Sequence, residues 1–248
     1  MKKIGFIGAY DKTDLILYVA KVIAELNRSV LVVDATMLQK SRYIVPCIAP
    51  SKCYITEYEK IDVAVGFSNL DQIKKYLGVD ELKYDVIMID IDENESFHNY
   101  DMIKANKNYF ITAFDSYSLK KGLEVIGKIE DKILMKKVLF SQEMLDEEDD
   151  YLNFLSFYYS VSWEDDKIYF PYESGDNSAI VENQRTAKIR FKNLTDSYKE
   201  GLLSIAQDII SDEKTSEIRK IIFKKGEWAW QLLHFGMMAK LKQIKAWQ

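Results

Sequence analysis

The chain has 248 residues, 48% of them hydrophobic, which is enough for one substantial core and does not force a second. Its 34 Lys and Arg stand against 39 Asp and Glu. That mildly acidic balance argues against a protein that coats nucleic acid along its surface, and sequence-specific nucleic-acid binding is not expected. The cysteines Cys47 and Cys53 and the histidines His98 and His234 form no disulfide framework and no full set of metal ligands, and such usage suits a reducing compartment.

The run Met1 to Gly8 carries two lysines but is too short for a secretory signal, and no stretch of about 18 apolar residues occurs. A cytoplasmic protein is expected, one that meets a membrane only at its surface.

In chain order, Lys3–Ile7 reads as a strand, and Lys12–Leu26 as an amphipathic helix with Leu15, Ile16, Val19, Val22, Ile23 and Leu26 on one face. A strand follows at Ser29–Asp34, and Tyr54–Phe67 reads as two short strands with a turn between them. Then come a helix at Leu70–Leu77, a strand at Asp85–Ile91, a helix at Ser96–Ala105 and a strand at Asn108–Thr112. Beyond these the pattern gives a helix at Ser116–Ile129, a strand at Ile133–Phe140 and a helix at Leu145–Ser160. The acidic run Asp146 to Asp150 makes a solvated start for that last helix. A strand at Lys167–Phe170 and a helix at Thr195–Ile210 complete the series. This alternation predicts an α/β fold, a mostly parallel twisted sheet with helices on both faces.

At the first strand-to-helix turn, Ile7-Gly8-Ala9-Tyr10-Asp11-Lys12-Thr13-Asp14, free backbone N–H groups and a lysine could meet phosphate oxygens. The turn resembles the deviant P-loop of the MinD/ParA family of P-loop ATPases, K-G-G-x-G-K-T-T. Gly8, Lys12 and Thr13 match it. Ile7 stands for the signature lysine, Ala9 for a glycine, Asp11 for the last glycine and Asp14 for the final threonine. The resemblance implies ATP with Mg, Lys12 on the β- and γ-phosphates and the Thr13 hydroxyl on the metal. Asp11, however, sets a carboxylate where a phosphate oxygen would lie and adds a side chain to a backbone that must approach closely. Asp11 as N-cap and Asp14 at the third helical position could satisfy the helix N–H groups without a nucleotide.

Other landmarks resemble the family in order and spacing. Val30 to Thr36 resembles the hydrophobic strand ending in aspartate, Asp34, with Thr36 where a hydrolytic carboxylate is expected. Tyr84 to Asp92 resembles the Walker B strand, which implies Asp90 beside the Mg-bound water. The glycine of the following switch region is replaced by Asp92-Glu93-Asn94-Glu95. Tyr109 to Leu119 resembles the next strand and helix start. Lys167 to Tyr172 resembles the late strand that leads to a proline, Pro171, whose backbone would lie near adenine. Ile180 to Gln184 with Phe191 resembles the closing pattern.

The resemblance covers residues 1–212. It is identified as that of a degenerate member, similar to divergent relatives such as the TadZ-like proteins, and hydrolysis would rest on the candidates Asp34 and Asp90.

Past Asp212, eight basic residues face three acidic ones, against the balance of the whole chain. Residues 213–248 are expected to form a basic amphipathic helical tail, with Trp228, Trp230, Leu233, Met237, Leu241 and Ile244 on its interaction face. It could pack on its own domain, dock on a partner or second copy, or lie on an anionic membrane. The function expected is a positioning or scaffolding component of a pilus, secretion or conjugation assembly, a homodimer with a protein partner and weak or no ATP hydrolysis. The alternative is an active partition or positioning ATPase working through Lys12, Thr13, Asp34 and Asp90.

Overall fold

The computed structural model describes residues 1–49, 51–142 and 146–223. The tail face of Trp228, Trp230, Leu233, Met237, Leu241 and Ile244 lies outside the described residues.

The elements run β1 (Lys2–Ile7), α1 (Thr13–Glu25), β2 (Val30–Asp34), α2 (Ser41–Ile44), β3 (Tyr54–Tyr58), β4 (Ile61–Val65), α3 (Leu70–Leu77) and β5 (Val86–Ile91). They continue as α4 (Asn94–Asn99), a 3-10 turn (Met102–Lys104), β6 (Lys107–Ala113), α5 (Ser116–Gly127), β7 (Ile133–Ser141), α6 (Asp146–Leu155) and β8 (Val161–Pro171), ending in α7 (Ser174–Thr186), α8 (Asp196–Ile209) and α9 (Thr215–Ile222).

Eight strands form one sheet in the order β3-β4-β2-β5-β1-β6-β7-β8. Every pairing is parallel except that of β3 with β4, which are joined through Glu59 and Lys60, both at positive φ as a tight hairpin requires. The central strands are apolar throughout because they are covered on both sides, and every residue of β2 and β5 is buried. Their side chains still alternate. Ile4 and Phe6 join Val86 and Met88 under α1, α8 and α9, whereas Ile7, Ile87, Ile89 and Ile91 pack with residues of α3, α4, α5 and α6.

Three segments differ from the sequence expectation for physical reasons. Asp101, at φ +50°, divides the helix expected at Ser96–Ala105 into α4 and a 3-10 turn. The helix expected at Leu145–Ser160 ends at Leu155, and β8 begins at Val161, where a register shift opposite Met135 and Lys137 breaks the alternation that marks a strand. Helix α7 lacks an apolar stripe, burying only Asp176, Ala179 and Asn183, so periodicity does not reveal it. Helix α9, beyond the change of composition at Asp212, packs on its own domain, one of the placements left open for this segment, and buries Ile218 and Ile222 in the core shared with α1 and α8. Arg219 holds Glu200 of α8 through two bonds of 2.7 and 2.8 Å.

Gly201 lets α8 press on the sheet: a Cβ there would stand 2.5 Å from the Phe170 ring, which is fully buried. Gly201→Ala therefore trades a helix-propensity gain of about 1 kcal/mol for a larger overpacking cost. A net loss of about 1 kcal/mol is expected in urea denaturation, and an unchanged midpoint would contradict this packing.

Candidate functional site

The turn between β1 and α1 lies at the carboxyl end of the middle strand, where the sheet opens toward solvent. Gly8 takes φ +139°, and a Cβ there would come within 2.1 Å of the Ile111 carbonyl oxygen on β6. Only glycine meets both conditions. Lys12 then turns inward with 2% exposure, its Nζ donating to the Gly8 carbonyl at 2.7 Å and standing 2.6 Å from Asp90 Oδ1. Burial pushes the Asp90 carboxyl up to about 7; Lys12 opposes the shift and neighbouring Asp34 adds to it.

Asp11 is not the N-cap that the sequence suggested: that position falls to Lys12, whose side chain makes no cap bond, and Asp11 lies one residue further out. Helix α1 begins at Thr13, and Asp11 Oδ1 accepts from the Thr13 N–H at 3.3 Å and the Thr13 hydroxyl at 3.1 Å. The other oxygen, Oδ2, takes the Lys40 ammonium at 2.7 Å. Burial would raise the Asp11 carboxyl, but the hydrogen bond and charge of Lys40 together with Thr13 hold it below its ordinary value. Asp14 leaves the helix terminus and accepts instead from Gln184 Nε2 of α7 at 2.8 Å. Burial pushes its carboxyl up to about 6 against that hydrogen bond, with the Asp11 charge adding to the rise.

Asp34 ends β2 directly beside Asp90 in register and is fully buried. It serves as an anchor for the next loop. Its Oδ1 accepts from the Thr36 N–H at 3.1 Å and the Thr36 hydroxyl at 2.6 Å, and its Oδ2 from the Ser41 N–H at 2.9 Å. After β5 the chain enters α4 almost at once. Asp92 accepts from the Met37 N–H at 3.0 Å, and the Ser96 hydroxyl donates to the Ala35 carbonyl at 2.9 Å. The loops after β2 and β5 are thus tied together.

Two cavities flank Tyr10 and Asp11. One, of about 210 Å³, is lined by Lys12, Thr13, Asp90, Asp92, Lys40 and Lys121 among others. The second, of about 440 Å³, is lined by Pro171, Tyr172, Phe140, Asp14 and Tyr198 among others. The Tyr10 ring packs on Phe140 with centroids 4.5 Å apart, between them. Lys12, Thr13 and Asp90 therefore come together, Gly8 supports them from beneath, Asp34 lies deeper, and Pro171 borders the other cavity.

These residues fit ATP and Mg poorly. The ammonium that would meet phosphate is already bonded to Asp90 and Gly8, and the Thr13 hydroxyl that would meet the metal is already bonded to Asp11. A carboxylate occupies the cradle, where a polyphosphate would be repelled. Sequence reasoning missed Lys40, Tyr10 and Gln184. Lys40 and Gln184 act from 29 and 170 residues away, and no local pattern announces them.

No family model and no curated protein matches the sequence. Among solved structures, the chain is similar to a chain of the MinC:MinD cell division protein complex of Aquifex aeolicus. The identity is 15%, covering 86% of this chain and 98% of that one, with a TM-score of 0.56. It is likewise similar to the MinD cell division protein of the same organism, at 14% identity, the same coverages and a TM-score of 0.56. The chain shares the fold of these MinD structures.

Asp14 carries a testable consequence. Its raised value means that the folded state binds the proton more tightly than the unfolded chain, so its ionisation destabilises the fold increasingly from about pH 4 up through about pH 6. Asp14→Asn keeps an acceptor for Gln184 and removes that cost. Urea denaturation is expected to show a gain of about 1–2 kcal/mol near pH 8 and none near pH 4. An equal gain at both values would contradict the burial argument.

Proposed function

We propose that this protein is a positioning or scaffolding component of a cytoplasmic or membrane-associated assembly, of the pilus, secretion or conjugation kind, with weak or no ATP hydrolysis. The observation that carries the reading is the buried ion pair of Lys12 with Asp90, next to a turn in which Asp11 already holds the Thr13 hydroxyl. The P-loop lysine is neutralised from within. Thr36, at the position of a hydrolytic carboxylate, is itself bound to Asp34.

A protein partner is supported by two features. One of the similar structures is a MinC:MinD complex, and here the end of α6 and the turn after it display Phe154 and Phe157 at 76% exposure and Tyr158 at 93%. The basic tail face from Trp228 to Ile244 adds a second surface in this reading, for a partner, a second copy or an anionic membrane. Among the described residues no helix is long and apolar enough to cross a membrane.

Calorimetric titration of the full chain with Mg-ATP and a non-hydrolysable analogue tests the proposal. The expected dissociation constant is no tighter than about 1 mM, with phosphate release at background. Asp11→Gly, which takes the carboxylate out of the cradle, is expected to bind at least about tenfold more tightly. Micromolar binding by the natural chain, with turnover that Lys12→Ala abolishes, would overturn it.

A further inference from the structure

The larger cavity, on the far side of Tyr10, has an unusual lining. It carries four carboxylates, Asp11, Asp14, Glu173 and Asp176, and no lysine, arginine or histidine. Two of the four are already engaged, Asp11 with Lys40 and Asp176 with the Thr195 N–H at 2.6 Å and hydroxyl at 2.8 Å. Asp14 and Glu173 remain. Among the described residues neither forms an ion pair, and the one hydrogen bond to Asp14 comes from the neutral amide of Gln184.

The rest of the wall is aromatic. Phe140 lies 4.5 Å from Tyr10 and 6.4 Å from Tyr172, centroid to centroid, and such ring faces attract organic cations. Behind them stands Tyr198, only 5% exposed, whose hydroxyl has no hydrogen-bond partner among the described residues. A hydroxyl so placed can accept a ligand's N–H.

We propose that this cavity binds a small aliphatic polyamine, whose ammonium groups pair with Asp14 and Glu173 and donate to the Tyr198 hydroxyl while its methylenes lie against Tyr10, Phe140 and Tyr172. This rests on the functional reading above, in which the adjoining turn holds no nucleotide. Competing ligands fit less well. A neutral purine would bring no positive charge to Asp14 and Glu173. A bare metal ion needs ligands close together, and among the described residues no three His, Cys, Asp or Glu could hold one. An extended cation needs no such cluster, because each of its ammonium groups pairs with one carboxylate. The volume, about 440 Å³, lies within the range of small-molecule sites.

Calorimetry on the full chain with spermidine, adenosine and Mg-ATP in separate titrations tests the assignment. Spermidine is expected to bind saturably and adenosine not at all. Asp14→Asn is expected to weaken spermidine at least about tenfold and the surface change Glu173→Gln about threefold. Glu147→Gln, a surface carboxylate of α6 that does not line the cavity, should leave binding unchanged. Because Asp14→Asn is expected to be the more stable protein near neutral pH, its loss of binding does not report unfolding. Absence of spermidine binding, equal isotherms for all four proteins, or adenosine bound in preference would overturn the inference. Failure with spermidine while Mg-ATP also does not bind overturns this inference alone. Tight Mg-ATP binding overturns the functional reading whatever spermidine does.

Discussion

The contact between Lys12 and Asp90 organises the carboxyl end of the sheet. Taking an ammonium and a carboxylate out of water costs several kcal/mol per ion, and the mutual attraction offsets this only when both partners stay in place. Here the partners sit on adjacent parts of the fold, Lys12 on the turn after β1 and Asp90 on β5, whose paired residues run in register from Lys2 with Val86 to Ile7 with Ile91. The turn can bring Lys12 so deep because Gly8 allows β1 to pass against the Ile111 carbonyl. Removing either charge leaves the other buried among apolar strands.

Around this pair the remaining charges are arranged as internal substitutes for a ligand. Asp11 takes the Thr13 N–H and hydroxyl and is itself held by Lys40, while Asp34 and Asp92 fix the loop from Thr36 to Ser41 and the N–H of Met37. These loops border the smaller cavity beside Lys12. Here they are bonded to one another, so any nucleotide must first displace protein contacts. The second cavity, on the other side of Tyr10, is lined by carboxylates and aromatic rings and carries no basic side chain.

Much of this was legible in the residues, and the illegible part has a common cause. The unbroken apolar runs of β2 and β5 and the stripe along α1 announce a buried parallel sheet, and the ordered landmarks from Gly8 to Pro171 place the site at its carboxyl end. Lys12, Thr13 and Asp90 were identifiable one by one, but their engagement with Gly8, Asp11 and one another was not, because it depends on a side-chain direction set by tertiary packing. Partners distant in sequence, such as Gln184 for Asp14 and Lys40 for Asp11, leave no periodic trace. Helix α7 stays hidden for a related reason: its buried face holds Asp176 and Asn183, polar residues satisfied by Thr195 and Arg190 in place of apolar packing.

The central claim, that Lys12 is neutralised by a buried carboxylate of its own fold, is tested most directly by a double-mutant cycle on stability without nucleotide. Lys12→Met and Asp90→Leu are each expected to cost about 3–5 kcal/mol in urea denaturation, because each strands the opposite charge. The double variant is expected to recover much of that, with a coupling of about 2 kcal/mol or more. Strictly additive losses would contradict the account.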